Sequence, residues 1–188
     1  MAVAGASAIR VSPTPLSGVL VLEPVVFADS RGFFLESYSK RSMAELGILH
    51  EFAQDNHSFS HRNVLRGLHY QIRHCQGKLI RVPAGEIFDV ALDLRRNSPT
   101  LGQWYGIRLS GVNKHMLWIP PGLAHGFYVL SESAHVFYKA TDFYDPESER
   151  TIAWNDPDLQ INWQLRHEPI VSGKDNLGIR FREAELCD

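Results

Sequence analysis

Glu86-Ile87-Phe88-Asp89-Val90-Ala91-Leu92-Asp93-Leu94 alternates apolar and acidic positions. Phe88, Val90, Leu92 and Leu94 fall on one face and Asp89 and Asp93 on the other, the period-two pattern of a long, half-buried β-strand. Outward from it, strand-like runs recur at 78–83, 104–110, 115–119, 124–130 and 134–141, separated by turn signals such as Asn97-Ser98-Pro99 and Ser110-Gly111-Val112-Asn113. Many short strands at this spacing predict a sandwich, jelly roll or barrel. One helix is predicted at 40–46, where Ser39 can cap, Met43 and Leu46 form an apolar i, i+3 pair and Gly47 can terminate. Residues 1–17, with Pro13 and Pro15, read as a poorly ordered N-terminal arm. A single domain is expected over 18–188, with the tail after Asp156 forming turns or short helices packed on the barrel. No internal repeat, low-complexity run or second-domain linker is evident.

A chain of 188 residues can bury a sizeable core as one domain. Its 19 Lys+Arg and 21 Asp+Glu give a formal charge of −2, without the electropositive footprint of a nucleic-acid binder. Cys75 and Cys187 lie far apart and without CxxC spacing, which points to neither a disulfide framework nor a thiolate zinc site and fits a reducing compartment. No basic n-region precedes an apolar stretch, and no run approaches the roughly 20 apolar residues that span a bilayer. A cytoplasmic protein with no membrane partner is expected.

Several polar residues sit in β-prone company. In Val64-Leu65-Arg66-Gly67-Leu68-His69-Tyr70-Gln71, His69 follows a glycine whose missing side chain lets backbone or ligand approach closely; it can be a base or an ordinary hydrogen-bonded histidine. Lys78 shares a face with Ile80 and Val82, and an inward lysine needs an anionic partner or ligand. His125 lies in the turn-and-strand segment Pro120-Pro121-Gly122-Leu123-Ala124-His125-Gly126. Tyr138 shares a face with Val136 and Ala140, so its hydroxyl must find an internal partner or a substrate. Arg31 and Glu36 flank Phe33-Phe34, either as a surface ion pair or as a grip on phosphate and sugar. Together these segments suggest a small-molecule site inside a β-barrel.

Pro120-x-Gly122-x-x-His125 resembles the second motif of the cupin superfamily, whose fold is a jelly roll, or double-stranded β-helix. The first cupin motif would want His-x-His and a following Glu; here Gln71 and Cys75 stand near those positions, so no metal is expected. Closer is the resemblance to the dTDP-4-dehydrorhamnose 3,5-epimerase family, which covers about residues 18–178 in collinear order. It is carried by FADSRGFFLESY at 27–38, FAQDNHS at 52–58, NVLRGLHYQ at 63–71, QGKLIRVPAGEIFDVALDLR at 76–95, LWIPPGLAHGF at 117–127, YKATDFY at 138–144 and SGKD at 172–175.

The resemblance implies a mainly all-β cupin-type barrel and an isomerase that needs no cofactor. His69 is similar to the family's proton-abstracting base, Asp175 to the carboxylate paired with it, Tyr138 to the proton donor on the opposite face, and Lys78 to the residue near the C4 keto oxygen. Arg31, Glu36, Gln54, Asn56, Arg66, His125, Glu149 and Lys174 resemble the residues around nucleotide and sugar, and Tyr144 an aromatic near the sugar or base. Family members resemble one another in forming homodimers by sheet exchange, which implies substrate contacts from a neighbouring subunit. The implied reaction inverts C3 and C5 of dTDP-4-dehydro-6-deoxy-D-glucose to give dTDP-4-dehydro-L-rhamnose. One competitor, a C3-only or C5-only epimerase of a related dTDP-4-keto-deoxysugar, needs the same residues; a second, a non-catalytic cupin that binds a sugar nucleotide, is disfavoured by the retained His69, Asp175 and Tyr138, since a binding module need not keep a base and an acid together. A metal-dependent cupin oxygenase or isomerase is a third.

Overall fold

A computed structural model of the chain describes residues 9–188. Its strands are β1 (Ile9–Pro13), β2 (Leu20–Pro24), β3 (Val26–Asp29), β4 (Gly32–Leu35), β5 (Gln54–His61), β6 (Val64–Gln71), β7 (Lys78–Ala84), β8 (Glu86–Asp93), β9 (Trp104–Ser110), β10 (Met116–Ile119), β11 (Leu123–Val129), β12 (Ser133–Ala140), β13 (Glu149–Thr151) and β14 (Ile170–Val171); α1 covers Lys40–Glu45. They build two facing sheets, of order β1-β2-β10-β7-β12-β5 and β13-β6-β11-β8-β9, with β14 added in parallel to β6. The fold is the cupin-type jelly roll expected from the sequence.

The space between the sheets holds one apolar cluster, with Ile80, Val82, Leu117, Ile119 and Val136 from the first sheet meeting Ile87, Ala91, Leu109, Leu123, Phe127 and Val129 from the second. The outer face of the second sheet is covered by the C-terminal segment through Leu159, Trp163, Ile179 and Phe181. Part of the outer face of the first is covered by Ile9, Met43 and Ile48 packing on Leu22, Leu79, Met116 and Trp118.

These coverings correct two expectations. Strand β8 is not half-buried: it is central, and every residue from Ile87 to Asp93 is buried. Phe88, Val90 and Leu92 pack beneath the C-terminal segment, whereas Ile87 and Ala91, with Asp89 between them, face the barrel interior. The alternation was therefore real but its polar face points inward. The expected disordered arm is also corrected over 9–17. Ile9–Pro13 pair along the whole of β2 as the edge strand of the first sheet, Ile9 is buried in the apolar cluster on that sheet's outer face, and Leu16 is buried in the cluster between the sheets. The rest of that arm, 1–8, lies outside the described residues.

Helix α1 follows its sequence signals. Ser39 Oγ accepts a hydrogen bond from the Ser42 N–H at 3.4 Å, Met43 is the buried anchor, and Gly47 takes φ +80° just after the end. The β3–β4 hairpin belongs to neither large sheet and is exposed along nearly its whole length. Among the described residues, no helix is long and apolar enough to cross a membrane.

Candidate active site

Strands β6 and β11 meet at two glycines. A Cβ on Gly67, which has φ +112°, would lie 2.5 Å from Gly126 Cα and 2.7 Å from His125 O. The side-chain-free contact lets the backbones touch, and the register shift between His125 and Phe127 marks a bulge at the same place. His69 is consequently paired directly with His125 across the strands, which sends both imidazoles to one face.

His69 Nε2 lies 2.6 Å from Asp175 Oδ1. Asp175 opens a 3₁₀ turn over Asp175–Leu177, and its second oxygen accepts the Gly67 N–H at 3.3 Å. Burial alone would push this carboxyl up, but the His69 hydrogen bond and charge, with Gly67 and Ser172, bring it below the usual carboxylate range. An ionised acceptor places the proton of neutral His69 on Nε2, leaving Nδ1 unprotonated and without a hydrogen-bond partner among the described residues.

Lys78, at the start of β7, is 9% exposed, and its ammonium has no hydrogen-bond partner among the described residues. Burial lowers its pKa to about 8 against the opposing pull of Asp89 and Glu149. Tyr138, on β12 beside Lys78's strand, is pushed up by burial, with Arg66 acting in the opposite sense. His69, Lys78 and Tyr138 together line two adjoining cavities, one extending past Gln71, Gln76, Tyr144 and Glu149, the other past Ser58, Arg66 and His125.

Most of the expected binding residues surround these cavities. Gln54 and Asn56 stand opposite Ala140 and Tyr138 in the β5–β12 register and bond to each other at 2.8 Å. Gln54 Oε1 also accepts the Tyr144 N–H at 3.2 Å. Tyr144 donates its hydroxyl proton to Glu149 Oε2 at 2.6 Å, and Lys174 pairs with the same oxygen. Burial would raise the Glu149 carboxyl, but Lys174, Tyr144 and the nearby His69 lower it; Tyr144 in turn is pushed up to about 12, first by that hydrogen bond. Arg66 donates from Nε to Ser60 Oγ at 3.0 Å at the cavity edge.

Arg31 and Glu36 are not brought to this site within one chain. Arg31 closes on Asp29 at 2.6 Å at the tip of the exposed hairpin, and Glu36 accepts the Ser42 hydroxyl at 2.6 Å. One residue escaped the sequence reading. Asp89 is fully buried, its Oδ2 lies 2.8 Å from His125 Nε2, and its Oδ1 has no hydrogen-bond partner among the described residues. The signal for it was an aspartate, a poor strand former, in the middle of a strand otherwise apolar from Ile87 to Leu92.

A histidine–carboxylate dyad, a phenol and a buried cation around one cavity can move a proton off an acidic carbon, return one, and hold the negative charge in between. Comparison with known proteins gives the same direction. The family model described as dTDP-4-dehydrorhamnose 3,5-epimerase matches residues 13–183. A dTDP-4-dehydrorhamnose 3,5-epimerase from Pseudomonas aeruginosa is 59% identical over 89% of this chain and 93% of its own, and one from Salmonella typhimurium is 54% identical over 93% and 97%. The crystal structure of a dTDP-6-deoxy-D-glucose-3,5-epimerase from Legionella pneumophila, in complex with dTDP-4-keto-L-rhamnose, superimposes with a TM-score of 0.91 at 49% identity, covering 94% of this chain and 95% of that one. With the match spanning both sheets and every strand that carries the site, the chain belongs to the dTDP-4-dehydrorhamnose 3,5-epimerase family.

Proposed function

We propose that the chain inverts C3 and C5 of dTDP-4-dehydro-6-deoxy-D-glucose to give dTDP-4-dehydro-L-rhamnose, with His69 as base and Tyr138 as acid. Both carbons are α to the C4 carbonyl, so loss of either proton gives an enolate whose charge rests on the C4 oxygen. The observation that carries this reading is the convergence of the His69–Asp175 dyad, Lys78 and Tyr138 on shared cavity walls. His69 Nδ1 takes the proton, and Asp175 holds the ring and stabilises the imidazolium. Lys78, poorly solvated and without a hydrogen-bond partner among the described residues, stabilises the C4 oxyanion. Tyr138 then protonates the carbon from the opposite face, which inverts it; return from His69 would restore the starting configuration.

Binding falls to the surrounding residues. Arg66 offers a fork to the diphosphate, Tyr144 with Glu149 and Lys174 flanks the sugar and base, and Gln54, Asn56 and His125 hold the sugar. Arg31 and Glu36 act across a homodimer in this proposal. The hairpin that carries Arg31 exposes Phe27, Phe33 and Phe34 at 61%, 60% and 70%, an apolar surface suited to covering by a second copy. The expected cytoplasmic location remains part of the proposal.

Turnover of the dTDP-4-keto substrate in deuterium oxide tests the reaction. Label at both C3 and C5 of the product is expected; label at one carbon alone would replace this reading by the single epimerase, and label at neither by the binding protein.

A further inference from the structure

Along the chain, Cys75 and Cys187 lie far apart and without CxxC spacing. In the fold their sulfurs are 3.8 Å apart although 112 residues separate them along the chain. Both thiols approach one carbonyl, Gln71 O, at 3.0 Å from Cys75 and 3.7 Å from Cys187. Their settings differ. Cys187 is 1% exposed and clamped by backbone: its N–H donates to Leu94 O at 3.0 Å and its C=O accepts from Arg96 at 2.8 Å. Cys75 lies in the turn between β6 and β7 and is partly open to solvent. The hydrogen bond between the two sulfurs lowers the Cys75 pKa to about 7 despite partial burial, and the same partnership raises that of Cys187. An accessible sulfur able to ionise near neutrality thus sits against a buried, fixed one, the division of labour of an attacking and a resolving thiol.

We propose that Cys75 and Cys187 form a reversible intramolecular disulfide by exchange with a low-molecular-weight disulfide. The Cys75 thiolate attacks one sulfur of the small disulfide, breaking its S–S bond and releasing one thiolate, which takes up the proton Cys75 lost. Cys187, giving up its own proton, attacks Cys75 Sγ and breaks the mixed disulfide, releasing the second small thiol. Two protein thiols are oxidised to one disulfide, and one small disulfide is reduced to two thiols. The turn around Cys75 must yield by somewhat under 2 Å to reach the roughly 2.05 Å of an S–S bond. The bond would pin the turn that runs from Gln71 to Lys78, both of which line the cavity, onto the tail strapped across the end of β8.

The test is equilibration of the purified full chain in mixtures of oxidised and reduced glutathione, followed by alkylation, intact mass and peptide mapping. The expected product is a monomeric chain lighter by about 2 Da, with residues 75 and 187 in one cross-linked peptide, restored by dithiothreitol. Cys187→Ser is expected to stop at a glutathione adduct on Cys75, and Cys75→Ser to acquire none. The oxidised wild-type chain should melt at least about 5 °C above the reduced one, since the bond closes a long loop. A wild-type chain that halts at the adduct, cross-links only between chains, or keeps both thiols free at every glutathione ratio would overturn the proposal; wild-type peptide mapping decides this even if a variant fails to fold.

Discussion

Lys78 concentrates the conflict between stability and chemistry. Its folded pKa of about 8 lies below the ordinary lysine value of 10.5, so between those values the unfolded chain binds more protons than the folded one. Stability from this group therefore rises as pH climbs from about 8 to 10.5, and the full penalty is present below pH 8. Lys78→Met should stabilise the chain by about 1–3 kcal/mol near pH 7, with that advantage fading by pH 10, while cutting kcat at least about 100-fold. Urea melts of both proteins at the two pH values check the sign, and a less stable Met variant at pH 7 would contradict it. Asp89 opposes the burial effect on Lys78, so Asp89→Asn should lower the lysine's pKa further. The alkaline limb of kcat/KM is then expected at lower pH than in wild type, with an unchanged far-UV CD spectrum; an unmoved limb would remove Asp89 from the site's electrostatics. His69→Ala should lose about 100- to 10,000-fold in kcat. Tyr138→Phe should retain exchange of substrate hydrogen with solvent at a fraction of the product yield, which NMR in deuterium oxide would resolve.

At the scale of elements, the site depends on how closely β6 and β11 approach. Gly67→Ala would put a methyl within 2.7 Å of two backbone atoms at a positive φ, so the strands must part or twist. A loss of at least about 3 kcal/mol in denaturant unfolding is expected, with activity falling beyond what the residual folded fraction explains. Retention of wild-type stability would show that the bulge accommodates a side chain. The same two strands show what was readable beforehand. Gly67 before His69 signalled close approach, and Pro-x-Gly before His125 signalled a turn into a strand, because both are local properties of backbone sterics. That the two histidines face each other depends on register, which no local pattern specifies. Strand β8 makes the complementary point: its alternation was legible, but which face met the barrel was decided by the C-terminal segment that covers the other.

At the scale of the whole molecule, Arg31 stands on a hairpin apart from both sheets and, within one chain, away from the cavity. If the homodimer is formed by this hairpin, Phe27→Ser with Phe34→Ser should yield monomers by light scattering and a raised KM. Complementation distinguishes a shared site from a merely associated pair. Arg31→Ala and His69→Ala chains, each impaired alone, should recover activity when mixed and refolded together, because one of the two sites in the heterodimer then has both residues. No recovery would confine each site to its own chain.

Legible along the chain were the class of fold, the β-strand periodicity, the capped helix and the identity of His69, Lys78, His125, Tyr138 and Asp175 as residues to explain. These follow from side-chain period, turn sterics and ordered resemblance along the chain, all of which are written in one dimension. Tertiary structure alone decided that Asp89 is internal and bonded to His125, that residues 9–13 close the first sheet, and that Cys75 adjoins Cys187. Each of these joins parts of the chain through strand order and through which face of a sheet is covered. Packing settles such choices by the apolar area it buries, and that area exists only once distant segments meet.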